Sequence, residues 1–213
     1  MELIAINGSP RRDWNTGQLL EKVVEGAKAA GAGARLVHLA DLQYTGCVSC
    51  FACKRIGGAN YGRCAVRDDL TQLLDQCHRA DSLVLGTPFY FGTESAFMRA
   101  FMERLWFQYF LYSNRKKPLA PTKKSSALIY TMNVPEAKME EYGKTAIVQR
   151  TRQIMQFLFG PCELFLSCDT LQFADYSLYD TDLFDVEAKQ KRNREVFPKE
   201  LEAAFELGRR LAS

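Results

Sequence analysis

Leu3-Ile4-Ala5-Ile6-Asn7-Gly8-Ser9-Pro10-Arg11-Arg12-Asp13-Trp14-Asn15-Thr16 is the stretch from which the rest of the chain is read. Its first four residues are apolar on both faces, as a central parallel strand requires. Asn7-Gly8-Ser9-Pro10 then breaks the run with turn chemistry. From Thr16 onward Leu19, Leu20, Val23, Val24 and Ala27 recur at three- and four-residue spacing, the pattern of an amphipathic helix. A strand, a polar turn and a helix N-terminus in succession build an anion site. The first-turn N–H groups have no intrahelical acceptor, and the helix dipole favours negative charge there. Ser9, Asn15 and Thr16 add short polar side chains at the same place, so a phosphate is the expected occupant.

Outward from this stretch, strand one is Glu2 to Asn7 and helix one runs from Thr16 to Ala30, stopping at Gly31-Ala32-Gly33. That Gly-x-Gly follows a helix rather than a strand, which excludes it as a dinucleotide-binding fingerprint. Strand two is Ala34 to Leu39. Asp68-Asp69 caps a helix whose apolar stripe is Leu70, Leu73, Leu74 and Cys77. Strand three is Ser82 to Thr87, followed by a helix from Glu94 to Phe107 carrying Phe97, Phe101, Leu105 and Trp106. Lys116 to Ser125 reads as a loop holding Pro118 and Pro121. Strand four is Ser126 to Thr131, and the next helix runs from Tyr142 to Phe159. Strand five is Glu163 to Phe173. A helix from Val186 to Ala212, broken at Pro198, closes the chain. Five strands alternating with helices predict an α/β three-layer sandwich, one domain over residues 1–213. Its five-stranded parallel sheet takes the flavodoxin-like order 2-1-3-4-5, with the ligand crevice at the switch point between strands one and three.

Composition narrows the function classes. With 213 residues, 47% hydrophobic and 25% charged, the chain is an ordinary globule large enough to bury a core. A net charge of +3 is too mild for a nucleic-acid partner. The nearest basic run, Arg115-Lys116-Lys117 with Lys123-Lys124, reads as a solvated loop. No apolar run approaches the roughly 20 residues that span a bilayer, and no signal-peptide pattern precedes strand one. No membrane partner is expected, and the expected location is the cytoplasm, where seven cysteines are not a disulfide framework. His38 and His78 stand apart and read as ordinary strand and helix residues. No Ser-His-Asp set, histidine metal pair or Walker loop is present.

A second ligand loop follows strand three: Pro88-Phe89-Tyr90-Phe91-Gly92-Thr93. It offers backbone donors, a glycine for close approach and aromatic rings, which suit the pyrimidine edge and flat face of an isoalloxazine. Met132-Asn133-Val134-Pro135 forms the loop after strand four, where such folds complete a ring pocket.

These residues carry a resemblance. Gly8-Ser9-Pro10-Arg11 with Asn15-Thr16 resembles the phosphate loop of the NADPH-dependent FMN reductase family, and Thr87 to Gly92 resembles that family's flavin-ring loop. The resemblance covers Met1 to Val134. It implies that Ser9, Arg11, Asn15 and Thr16 hold the FMN phosphate, with Gly17 or Gln18 donating from the backbone. Pro88, Phe89, Tyr90, Phe91, Gly92, Met132 and Asn133 would surround the ring. It further implies an FMN-dependent NAD(P)H oxidoreductase that reduces a quinone, flavin or similar small-molecule electron acceptor. The flavin carries the chemistry in such proteins, so no catalytic side chain is assigned. Tyr90 is read as assisting or stacking, and Arg11 or Arg12 as meeting the dinucleotide phosphates.

Cys47-Val48-Ser49-Cys50-Phe51-Ala52-Cys53 and, after ten intervening residues, Cys64 resemble the cysteine stretch of iron–sulfur flavoproteins. Thiolates in C-x2-C-x2-C spacing suit a [4Fe-4S] cluster. In those proteins the fourth cysteine follows sooner than Cys64 does here. Free thiols beside the flavin and a redox-active Cys47–Cys50 pair stay open alongside the cluster. An electron carrier with FMN and a cluster is accordingly the alternative function, and a flavodoxin-like protein without flavin is a third. Similar families are homodimers or homotetramers. The aromatic run Trp106-Phe107-Gln108-Tyr109-Phe110-Leu111-Tyr112 is too apolar for a free loop, so it belongs to the core or to a subunit interface.

Overall fold

The computed structural model describes residues 1–114, 117–120 and 124–213. Strands Glu2–Asn7 (β1), Gly33–His38 (β2), Ser82–Tyr90 (β3), Ser125–Thr131 (β5) and Cys162–Ser167 (β6) form a parallel sheet in the order β2-β1-β3-β5-β6. This is the expected order, with one addition. A two-residue strand, Thr93–Glu94 (β4), folds back antiparallel on the end of β3, pairing Phe89 with Glu94 and Tyr90 with Thr93.

Helices cover both faces. Asn15–Ala29 (α1) and Phe197–Leu211 (α6) lie on one, and Leu70–Arg79 (α2), Ala96–Tyr109 (α3) and Lys144–Phe159 (α4) on the other. The two-residue period of β1 divides its side chains between them: Leu3 and Ala5 join the α1/α6 core, Ile4 and Ile6 the α2–α4 core. Backbones of α1 and α6 touch at Gly26 and Gly208, where an added Cβ would stand 1.9 Å from the Phe205 carbonyl oxygen and 2.0 Å from that of Val23. Val186–Glu195 (α5) precedes α6. No helix among the described residues is long and apolar enough to cross a membrane.

Several boundaries differ from expectation for physical reasons. Strand three continues through Pro88 to Tyr90. Gly86 accepts the Gly8 N–H on the β1 side, so by alternation Pro88 points past the end of β1, where its missing donor costs nothing. Strand five stops at Ser167 rather than Phe173, because Asp169 takes a left-handed φ of +52° and turns the chain. The C-terminal helix breaks at Val196, and Pro198 lies in the first turn of α6, where a missing N–H is harmless. Thr16 does not open α1: the helix begins at Asn15 behind Trp14, without a side-chain cap. Before α2 it is Asp68 whose carboxylate accepts the Leu70 N–H, while Asp69 makes no cap.

Of the basic run, Arg115, Lys116 and Lys123 lie outside the described residues, as does Pro121. Lys124 is not solvated. It is buried at 1% exposure and donates to the carbonyls of His78 and Ala80 at the end of α2, which suits a cation at a helix C-terminus. Cys77 is core, and burial pushes its thiol up to about 12. The aromatic run divides: Trp106 and Tyr109 are buried, Phe110 and Tyr112 exposed.

Candidate functional site

The ends of β1, β3, β5 and β6 open on one cavity of ≈ 490 Å³ at the switch point of the sheet, within the range of about 300–1,000 Å³ usual for small-molecule pockets. Ser9, Arg11, Asn15 and Thr16 line it together with Pro88, Phe89, Tyr90, Phe91, Met132 and Asn133. These are ten of the thirteen residues anticipated for a flavin. Gly17, Gln18 and Gly92 stand outside the lining. Gln18 spends its backbone N–H on Trp14 within α1. Gly17 has a different part: a Cβ there would lie 1.7 Å from the Arg12 carbonyl oxygen, so only glycine lets the 9–13 turn close on the helix.

Asn7 shapes that turn from below. It is fully buried, accepts the Ser9 N–H at 2.9 Å and is tied to His38 Nδ1 at 3.1 Å. Ser9 Oγ accepts the Arg11 N–H, and Thr16 Oγ1 meets Thr131 Oγ1 at 2.7 Å. The wall opposite comes from residues that the sequence reading assigned to strand five. Thr170, Leu171, Gln172 and Phe173 line the cavity. The Leu171 carbonyl accepts from Trp14 Nε1 and Asn15 Nδ2, and the Gln172 carbonyl from the Arg11 guanidinium at 2.6 Å. A buried lysine fixes this wall: Lys189 on α5 donates to Asp169 at 2.5 Å and to the Thr170 and Asn133 carbonyls. Neither the left-handed turn at Asp169 nor the burial of Lys189 is announced by the sequence pattern.

The ring loop is held from behind by Glu94. Its side chain is 1% exposed and accepts from Tyr130 at 2.6 Å and from Thr151 and Thr93 at 2.8 Å. Burial pushes this carboxyl up, but those hydrogen bonds outweigh burial and hold it below the ordinary glutamate range. Phe89 turns inward and meets Tyr130 edge-on, so it is shared between core and cavity. Tyr90 and Phe91 stay exposed at the mouth, with Phe91 at φ +46°.

Cys47, Cys50, Cys53 and Cys64 all line a second cavity, closed by Phe51, Phe107, Arg104 and Gln108. All four are free thiols in this structure. Among the described residues no three are gathered tightly enough for a single metal ion; a multi-iron cluster holds its thiolates farther apart than one ion does. The donor set fits such a cluster in two respects. Four cysteines line one space, and Gln108, whose Oε1 accepts the Cys64 N–H, has a buried Nε2 with no acceptor, which a thiolate or sulfide would supply. The cavity measures ≈ 10 Å³, so admitting four irons requires the 47–53 loop to widen. Ser49 and Phe51 there stand at positive φ.

This geometry agrees with likenesses to known proteins. Over 104 residues the chain is 38% identical to an iron-sulfur flavoprotein of Archaeoglobus fulgidus, an alignment covering 49% of this chain and 48% of that one. The chain spans about half the length of the curated relatives it matches. In fold it is similar to the NAD(P)H:quinone oxidoreductase of Methanothermobacter marburgensis, at a TM-score of 0.73 and 15% identity over 99% of this chain and 98% of that one. An FMN-dependent NADH-azoreductase of Bacillus anthracis in complex with FMN gives 0.69 at 13% identity, with both chains fully covered. The sequence model of NADPH-dependent FMN reductases matches residues 1–159, and the chain belongs to that family.

Proposed function

We propose that this protein binds FMN in the ≈ 490 Å³ cavity and uses it to oxidise NAD(P)H and reduce a small acceptor such as a quinone or a free flavin. The observation that carries this is the convergence of the 9–16 turn, the 88–91 loop and the 131–133 loop on one space at the sheet's switch point. Bound there, FMN would supply hydride acceptance and electron transfer. The chain's own residues bind and orient. Ser9, Thr16 and the first-turn amides of α1 receive the phosphate, where N–H groups and helix dipole favour an anion. Arg11, stacked 3.8 Å over Trp14, adds positive charge at its edge. The 88–92 loop presents backbone donors and Tyr90 to the ring, while Glu94 and Tyr130 keep that loop in place. No side chain in the cavity is required to move a proton.

Purified protein is expected to carry FMN, or to take it up one to one, and to lose its flavin absorbance when NADPH is added without oxygen. A chain that binds no FMN, or whose bound FMN stays oxidised, would falsify this reading.

The four-cysteine cavity favours a second reading, in which a [4Fe-4S] cluster held by Cys47, Cys50, Cys53 and Cys64 lets the protein relay electrons between partners. Iron and sulfide assays on anaerobically prepared protein decide whether it applies.

Assembly as a homodimer or homotetramer accompanies the proposal. A groove of ≈ 730 Å³ between α3 and α4 is lined by Trp106, Phe107, Phe110 and Phe157, and its exposed rings match the expected interface. Light scattering at micromolar concentration should give two or four chains; a monomer would rule this out.

A further inference from the structure

Arg104 is the most thoroughly buried cation beside the cysteines. Its side chain is fully enclosed, on the face of α3 turned toward residues 45–68. Every hydrogen bond described for it goes to that stretch. Nε donates to Cys64 Sγ at 2.9 Å, NH1 to the Thr45 carbonyl at 3.1 Å, and NH2 to the Val66 carbonyl at 3.3 Å. Asp68 accepts from NH1 at 2.8 Å and from NH2 at 3.2 Å. Burial works against the charged guanidinium, yet the bonds to Asp68 and the neighbouring Cys64 sulfur more than offset it, so the cation is kept. The outcome is an oriented pair, with its positive end on a candidate ligand sulfur and its negative end one guanidinium further away.

We propose that Arg104 and Asp68 together set the reduction potential of an iron–sulfur cluster held by Cys47, Cys50, Cys53 and Cys64, Arg104 raising it and Asp68 limiting the rise. This rests on the cluster reading of the four-cysteine cavity. Reducing such a cluster adds one electron and no proton, so the reduced form carries one more negative charge. A buried cation bonded to a ligand sulfur favours that form, and a half-buried anion opposes it; hydrogen bonds to the sulfurs and net charge are the protein's levers on potential. With the Arg104 side chain fully enclosed, water screens its charge little, and that of Asp68 more. Both residues are positioning residues, since Asp68 acts only through Arg104, and Arg104 only through sulfur.

The test uses full-length wild type, Arg104→Gln, Asp68→Asn and the double variant, each reconstituted anaerobically with iron and sulfide. Iron per chain is measured, and the cluster is titrated with dithionite as the one-electron reductant. Arg104→Gln should lower the potential and Asp68→Asn raise it, each by at least a tenfold change in the reduction equilibrium, about 59 mV. The double variant should lie between them. Shifts of opposite sign are not the signature of general loosening, which would move both variants the same way. Equal potentials, or shifts of one sign, overturn the proposal while leaving the cluster in place. Should Arg104→Gln fail to hold iron, Asp68→Asn decides alone: an upward shift sustains the proposal, and no shift or a downward one ends it. Wild type that takes up no iron and sulfide overturns the cluster reading itself, and this proposal with it.

Discussion

Gly17→Ala is expected to weaken FMN binding by at least about 100-fold while leaving the sheet folded. The added methyl would stand 1.7 Å from the Arg12 carbonyl oxygen and 2.9 Å from its carbon, contacts no side chain tolerates, so one element must move. Helix α1 cannot easily be that element. Leu19, Leu20, Val23 and Ala27 are fully buried against the sheet and α6. Residues 11–13 are exposed and give way first. Their displacement carries Arg11 and the Ser9–Arg11 hydrogen bond away from the amides of α1. Charge-assisted hydrogen bonds contribute roughly 1.5–3 kcal/mol each, and losing two costs about 3 kcal/mol or more, hence the factor of about 100. Fluorescence titration of FMN with the flavin-free variant measures this, and far-UV circular dichroism checks the fold. An affinity within about threefold of wild type would show that the phosphate does not depend on this turn.

What the sequence disclosed, and what it hid, follows from which forces are local. The run Leu3 to Ile6 and the stripe from Leu19 to Ala27 declare their elements by period alone, and both agree with the structure to within a residue at the edges. The parallel sheet follows from alternation of strand and helix and its order from the ligand loops after strands one, three and four, and ten of the anticipated cavity residues come together because loops at strand ends share one edge of the sheet. The wall from Thr170 to Phe173 was hidden, since Leu164, Leu166, Leu171 and Phe173 look like one continuous strand. Asp169, Lys189 and the Arg11 and Asn15 side chains bend the chain there instead, and those partners are distant in sequence. Buried charges were the other blind spot. Glu94, Arg104, Lys124 and Lys189 are each at most 3% exposed, whereas pattern reading assigns charge to solvent. Only three-dimensional pairing makes such burial affordable. The Cys53–Cys64 pairing was more legible: ten residues separate the two, but Gly57-Gly58 and Gly62 in that stretch allow it to fold back, and with Gly57 and Gly62 at positive φ both cysteines line one cavity.

The second large effect is expected at Glu94. Glu94→Ala removes the acceptor of two buried hydroxyls, Tyr130 Oη and Thr151 Oγ1, in a place water does not reach. Each orphaned group costs about 1–3 kcal/mol, and the vacated volume adds to that. A loss of about 3–5 kcal/mol follows, which for a chain of this size lowers Tm by roughly 10 °C. Glu94→Gln keeps the shape and one acceptor oxygen and should cost less than half as much. The two variants also separate packing from charge. Because hydrogen bonding holds the folded carboxyl below its unfolded value, the associated stability is complete above pH about 4.5 and drains away as pH falls through the lower folded value. Urea midpoints from pH 7 down to pH 3 should therefore fall more steeply for wild type than for Glu94→Gln, whose amide does not titrate. Parallel profiles would mean that Glu94 does not contribute through its charge. Since β4 anchors the 88–92 loop through the Phe89–Glu94 and Tyr90–Thr93 pairs, Glu94→Ala should also bind FMN more weakly at temperatures where it remains folded, whereas Glu94→Gln should retain most of its affinity.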